Sequence, residues 1–240
     1  MEDKHPTYPM RINKYLALKG FSTRKDADLL IEKGAVTVNG RRAVLGERVS
    51  EPDVVKVQQP SKTYQYFAFN KPAGVITHSP QLGEKDAVTS AGLSGMFPVG
   101  RLDKASRGLI ILTNDARITD RLLNPKYVHD KEYRVTTKTK LPSYFKNRME
   151  GGVDIEGYKT KKCEVRISSD YSFSITLTEG KKHQIRRMCA ALAVDIENLE
   201  RVRIMNIKLA GLKPNQHRLL KGLELSEFLK SLELVSLGKK

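Results

Sequence analysis

Tryptophan is absent from this 240-residue chain, cysteine occurs only twice, and no apolar run approaches the roughly 20 residues that a membrane-spanning helix needs. Each shortage removes a class of explanation. Two thiols, Cys163 and Cys189, make neither a disulfide framework nor a metal cluster. The opening MEDKHPTYPM has no apolar core of the kind a secretory leader carries. Neither a GxxxxGK[ST] loop nor a GxGxxG turn is present, which argues against a bound nucleotide. No cofactor and no metal are therefore expected. Acidic side chains are the other deficit: 27 carboxylates against 43 Lys and Arg leave a net charge of +16. Such an excess favours a polyanionic partner, because each phosphate neutralised releases a counterion. Nucleic acid leads; an anionic membrane surface follows and is weakened by the missing spans and the missing Trp. The expectation is a soluble, cytoplasmic, monomeric protein that faces RNA or DNA, long enough for a large domain plus a small one.

What is present falls into two blocks. Residues 1–9 read as a flexible tail. Ile12, Tyr15, Leu16 and Leu18 then predict a short amphipathic helix with Arg11, Lys14 and Lys19 on its polar side, ended by Gly20. Ser22 or Thr23 can cap a second helix that runs to about Lys33 and closes at Gly34. A hairpin turning at Asn39-Gly40 and a strand over 53–57 complete the block. The polar stretch around Pro60 reads as a linker.

In the second block, 64–69 predicts an apolar strand, 70–74 a turn, and 75–77 a return to extended structure. Asn114 or Asp115 can cap a helix carrying Ile118, Leu122 and Leu123. Strands are expected from Lys131 and around Val165 and Ile167, with a helix over 143–149 before the latter. Phe173, Ile175 and Leu177 alternate with polar residues, the mark of a half-buried strand. Ile185, Met188, Cys189 and Leu192 define a helix with one buried stripe and with Arg186 and Arg187 on its flanks. Alternation resumes over 201–210, and a last amphipathic helix carries Leu225, Phe228, Leu229 and Leu232.

The chemistry concentrates in FPVGRLDKASRGLIILTND, residues 97–115. Apolar runs bounded by Gly100 and Gly108 predict strand, polar loop, strand. Asp103 is the loop's only carboxylate, with Arg101 two residues before and Lys104 one after. Nearby cations keep a carboxylate ionised, so Asp103 reads as a charged oxygen nucleophile or as part of solvated surface ion pairs. Tyr133, as a bare strand residue, is a core aromatic or a stacking platform. Arg186 and Arg187 are phosphate contacts or solvated charge, and His183 is a phosphate ligand or a structural hydrogen-bonding group.

GRLD-x-x-[ST]-x-GL-x-x-LTND closely resembles the central motif of the pseudouridine synthases, within the RsuA/RluB/RluF group that modifies ribosomal RNA. NKPxGVI upstream and GxxHQIRRM downstream are further elements of that family. KKCEVRI (161–167) and ERVRIMNIKLAGL (200–212) are most similar to the RluF members. RINKYLA and STRKDADLLIEKGAVTVNG resemble the small αL RNA-binding domain, with Thr23 where that pattern has a basic residue. The resemblance implies Asp103 as the catalytic carboxylate. It implies Tyr133 as the residue that stacks on an extruded base and helps move a proton, Arg186 as the cation paired with Asp103, and Ile185 as a neighbour packed beside it. RNA contacts are implied at Arg101, Arg187, Arg11, Lys14, Arg24, Lys25 and Lys33, for which a solvated face is the plainer alternative. The implied fold class is α+β: an αL domain over 10–58, a linker over 59–62, and a catalytic domain over 63–240 built on a curved, mainly antiparallel mixed sheet flanked by helices. The implied reaction converts uridine to pseudouridine in ribosomal RNA, mainly of the large subunit, with tRNA a further substrate. A non-catalytic RNA-binding or ribosome-assembly factor is the competing expectation. A glycosidase-like hydrolase would need a second carboxylate at a fixed position, which the motifs do not supply.

Overall fold

The structure is a computed structural model that describes residues 8–19, 21–22, 24–58 and 63–234, with Lys25 described by its backbone. Residues 1–7 of the tail expected over 1–9, the helix end at Gly20, the cap at Thr23, the Lys25 side chain and the linker over 59–62 lie outside the described residues. The chain divides into two compact units, Met1–Tyr64 and Gln65–Lys240.

The first unit runs β1 (Met10–Arg11), α1 (Ile12–Leu18), α2 (Arg24–Glu32), β2 (Val36–Val38), β3 (Arg41–Arg42), β4 (Arg48–Val49) and β5 (Val55–Val57). β2 pairs antiparallel with both β3 and β5, and β1 pairs with β4. Asn39 and Gly40 turn the hairpin with φ of 52° and 84°, left-handed values that these two residue types adopt most easily. Ile12, Leu16, Ala27, Ile31, Val36 and Val38 share one core. Leu18 departs from the expected stripe: it is exposed, because Ile12 and Leu16, four residues apart, already fill the inner face of a seven-residue helix. At two residues, β4 is too short to show any period.

The second unit runs β6 (Tyr66–Lys71), α3 (Ala87–Ala91), β7 (Phe97–Val99), β8 (Arg107–Thr113), α4 (Arg117–Leu123), β9 (Lys131–Thr137), α5 (Phe145–Glu150) and β10 (Glu164–Ser169). It continues with β11 (Ser172–Leu177), α6 (Gln184–Ala190), β12 (Ile196–Ile204), β13 (Ile207–Lys208), β14 (His217–Leu219) and α7 (Gly222–Ser231). Among the described residues, nine strands form one mixed sheet in the order β10-β11-β9-β12-β8-β6-β14, with β7 against β8 and β13 against β12. These pairings are antiparallel except that of β12 with β8. The fold class is α+β, as expected.

Burial explains which strand lies where. Leu109, Ile110, Ile111 and Leu112 are all fully buried, so β8 is an interior strand covered on both faces. β11 instead alternates, turning Phe173, Ile175 and Leu177 inward. Phe145 and Met149 of α5 and Ile185, Met188 and Cys189 of α6 pack into the same core. Phe145 meets Phe173 edge-on, with ring centroids 4.9 Å apart.

Several boundaries differ from expectation. Asn70 and Lys71 belong to β6 rather than to a turn, paired with Leu109 and Gly108. Residues 75–77 hold an isolated bridge, Ile76 with Asp86, instead of a strand. β12 begins at Ile196, well before 201, and its register shifts between Arg201 and Arg203. That bulge reverses the alternation, so Arg201 is buried where Val202 was the apolar candidate. Asp115, not Asn114, receives the first N–H of α4, from Arg117 at 3.1 Å.

The parallel contact of β8 with β12 depends on Gly108. Its φ is +107°, and a Cβ there would stand 2.3 Å from the carbonyl oxygen of Arg201. Gly108→Ala is therefore expected to destabilise the chain by about 3 kcal/mol or more, measured as a lowered denaturation midpoint. An unchanged midpoint would show that the two strands part without cost.

Candidate active site

β7 and β8 deliver the loop that carries Asp103, and the loop's backbone is gripped from several sides. The Thr77 hydroxyl donates to the Leu102 carbonyl at 2.7 Å, and the Leu102 N–H donates back to it at 2.9 Å. Gly74 N–H donates to the Lys104 carbonyl at 2.8 Å. Arg201 donates through Nε to the Leu109 carbonyl at 2.7 Å and through Nη1 to that of Arg101 at 3.5 Å. Arg186 Nη2 donates to the Ala105 carbonyl at 3.4 Å. Inside the loop, Ser106 N–H closes a turn on the Asp103 carbonyl at 3.0 Å.

Asp103 opens into a cavity of about 790 Å³, whose walls include Tyr133, Ile185, Arg101, Lys131 and Arg201. His183 Nε2 lies 3.3 Å from Asp103 Oδ1. His183 occupies a left-handed conformation, φ 53°, immediately before α6; for a residue other than Gly this is uncommon and is held by its surroundings. Lys71 is fully buried. Its ammonium donates to the carbonyls of Pro72 at 2.9 Å and Val75 at 2.5 Å. Burial pushes its pKa down to about 8, with the Asp103 charge acting upward and the Arg201 charge downward.

The structure thus gathers Asp103, Tyr133, Ile185 and Arg101 around one cavity. Arg186 is different: no ion pair joins it to Asp103 among the described residues, because its guanidinium reaches the Ala105 carbonyl instead, and its buried Nε has no partner there. The histidine takes the position expected of the arginine. Arg187 donates to the Ile155 carbonyl at 2.9 Å and pairs with Glu156 at 2.7 Å, bracing the turn before Gly157. In the first unit, Arg11, Lys14 and Arg24 line a cleft of about 310 Å³ together with Arg48. None of these four is in an ion pair among the described residues. Lys33 is exposed but outside that cleft.

Residues 65–191 match the family model of RNA pseudouridylate synthase, and residues 10–55 match that of the S4 domain. The chain belongs to the RNA pseudouridylate synthase family. It is 39% identical over 236 residues to the dual-specificity RNA pseudouridine synthase RluF of Escherichia coli O6:H1, spanning 95% of this chain and 81% of that protein. It is 30% identical over 221 residues to the ribosomal large subunit pseudouridine synthase B of Bacillus subtilis, spanning 87% and 91%. A crystal structure of a pseudouridylate synthase aligns with a TM-score of 0.68 at 26% identity, covering 93% of this chain and 99% of that one. The non-catalytic expectation gives way to an RNA-modifying enzyme with an S4 domain at its N-terminal end.

Lys71 and Arg201 belong to the surroundings of Asp103 without being among the residues expected there. Lys71 hides in a stretch, NKPAG, whose composition spells a turn. Arg201 hides behind the bulge in β12. His183 was visible as a residue without its partner being visible.

Because folded Lys71 loses its proton near 8 and an unfolded lysine near 10.5, the folded state binds fewer protons between those values. Stability contributed by this group therefore rises with pH across that window. The unfolding free energy of the native chain minus that of Lys71→Met is expected to increase between pH 8 and 10, measured by urea denaturation. A flat difference would place the buried amine's titration elsewhere.

Proposed function

We propose that the chain isomerises uridine to pseudouridine in ribosomal RNA of the large subunit, with Asp103 as the catalytic carboxylate. The observation that carries this reading is the setting of Asp103: an anionic oxygen on a loop pinned on both sides, opening into a cavity lined by Lys131, Arg201 and Tyr133. The name of the ribosomal large subunit relative supports ribosomal RNA as substrate, and the word dual-specificity in the name of the RluF relative supports more than one RNA target.

In this reading RNA binding extrudes one uridine into the cavity, where Tyr133 stacks on the base. Asp103 either attacks the anomeric carbon of the ribose, forming an ester as the bond to the uracil nitrogen breaks, or removes a ribose proton to give an unsaturated sugar. Both routes release a uracil that must turn before carbon 5 bonds to the anomeric carbon, a step that breaks the ester in the first route and returns the proton from Asp103 to the ribose in the second, so enclosure matters as much as the carboxylate. The proton then leaves carbon 5 with the assistance of the Tyr133 phenol. Arg186 acts here as a positioning residue through Ala105, and His183 orients the carboxylate. The cleft of Arg11, Lys14, Arg24 and Arg48 supplies phosphate contacts outside the catalytic unit.

Asp103→Asn is expected to lower pseudouridine formation by about three orders of magnitude or more while leaving RNA affinity within about twofold. Mapping pseudouridines in ribosomal RNA and tRNA from cells with and without the protein identifies the substrate. Full turnover by the variant would remove Asp103 from its role, and an unchanged ribosomal map would remove the substrate assignment.

A further inference from the structure

The cavity extends well beyond Asp103. At about 790 Å³ it lies toward the upper end of the roughly 300–1,000 Å³ typical of small-molecule sites, and one of its walls is unused by the chemistry proposed above. That wall consists of Tyr158, Lys161 and Lys181, with Glu179 and Gln184 behind them.

Its construction is specific. Gln184 is buried and donates through Nε2 to Glu179 Oε1 at 2.7 Å. The same Glu179 oxygen accepts the main-chain N–H of Lys161 at 2.9 Å, and Gln184 Oε1 accepts that of Lys181 at 2.9 Å. The other Glu179 oxygen accepts the Tyr158 hydroxyl at 2.5 Å. One amide–carboxylate pair thus fixes the tip of a tyrosine ring and the main chain at two lysines. Both lysine side chains are exposed, and neither forms an ion pair among the described residues. The Lys181 ammonium rests 4.4 Å from the centroid of the Tyr158 ring. Two ammonium groups outside any ion pair among the described residues, beside an anchored aromatic ring, form the combination that binds a phosphate and the base or sugar next to it. Anchoring the ring and the main chain at both lysines in advance reduces the ordering cost of binding.

We propose that Tyr158, Lys161 and Lys181 form a second nucleotide subsite, which holds the nucleotide adjoining the extruded uridine by its phosphate and by contact of its base with the tyrosine ring. This rests on the uridine-extruding reading of the Asp103 cavity. On binding, Lys181 leaves the ring face for the phosphate, and Glu179 with Gln184 keeps the wall in place.

The test is a cycle between protein and RNA variants. The probe is the ribosomal RNA fragment that the native chain converts, prepared intact, with an abasic ribose at either neighbour of the target, or with a neutral methylphosphonate at either linking phosphate. Tyr158→Leu keeps an apolar group against the core and is expected to raise KM by about tenfold with kcat little changed. The abasic neighbour should raise KM comparably for the native chain and have no further effect on Tyr158→Leu. Lys161→Gln with Lys181→Gln, which alters only exposed amines, should likewise be insensitive to the methylphosphonate, and its affinity should depend less steeply on salt. This second cycle decides the matter if Tyr158→Leu fails to fold. Penalties that multiply independently at both neighbours would overturn the subsite. Absence of pseudouridine from the intact fragment with the native chain would instead overturn the reading beneath it.

Discussion

Hydrogen bonds from Thr77, Gly74, Arg201 and Arg186 hold the main chain on both sides of Asp103, at Leu102, Lys104, Arg101 and Ala105. Ordering a loop residue costs about 1–2 kcal/mol of backbone entropy, and one intramolecular hydrogen bond returns only about 1 kcal/mol net. No single contact could therefore fix the carboxylate. The contacts succeed jointly, the short ones coming from Thr77 and Gly74 and the longer ones, at 3.4 and 3.5 Å, from the two guanidinium groups. Arg201 reaches the loop only because β12 lies hard against β8, and it lies there only because Gly108 has no side chain. The position of one anion thus traces back to a missing methyl group on the neighbouring strand.

The surroundings of that anion break the ordinary rules of burial. Lys71 and Arg201 are inside the fold, and Lys131, whose pKa is lowered by burial and by the Arg201 charge, lies near the latter. Clustering cations in a poorly hydrated region is unfavourable, and Asp103 offsets part of that cost for Lys71. An arrangement that opposes stability in this way is the kind expected where function rather than folding has set the residues. The cations also give the cavity the sign of charge that a phosphate backbone seeks.

Much of this could be read from the chain before folding. The β7-loop-β8 motif, the alternation of β11 and the buried stripe of α6 are local patterns with periods of 2 or about 3.6, and such patterns survive into the structure. Tyr133 and Ile185 reached the cavity through motifs. What could not be read involves contacts between segments remote in sequence. Arg201 and Leu109 are 92 residues apart, and a bulge in β12 disguised which face the arginine takes. Lys71 was masked by the turn chemistry of the proline that follows it. His183 and Arg186 both stood in one motif, but choosing between them as the neighbour of Asp103 needs the direction of the chain just before α6, which a left-handed residue sets.

That choice bears on the chemistry. An arginine can engage a carboxylate with two parallel bonds and occupy both of its oxygens. The imidazole of His183 approaches one oxygen of Asp103, at 3.3 Å, and both side chains remain partly exposed, a geometry in which an ion pair contributes little. In the proposed reaction the carboxylate is thus oriented without being consumed, and its second oxygen is left for the substrate. Rigidity comes from the backbone contacts and electrostatic pull from the buried cations, so neither has to be supplied by a direct partner that would compete with the ribose. In the proposed reaction, an oxygen that must approach carbon or take a proton from it is better held by its main chain than by its charge.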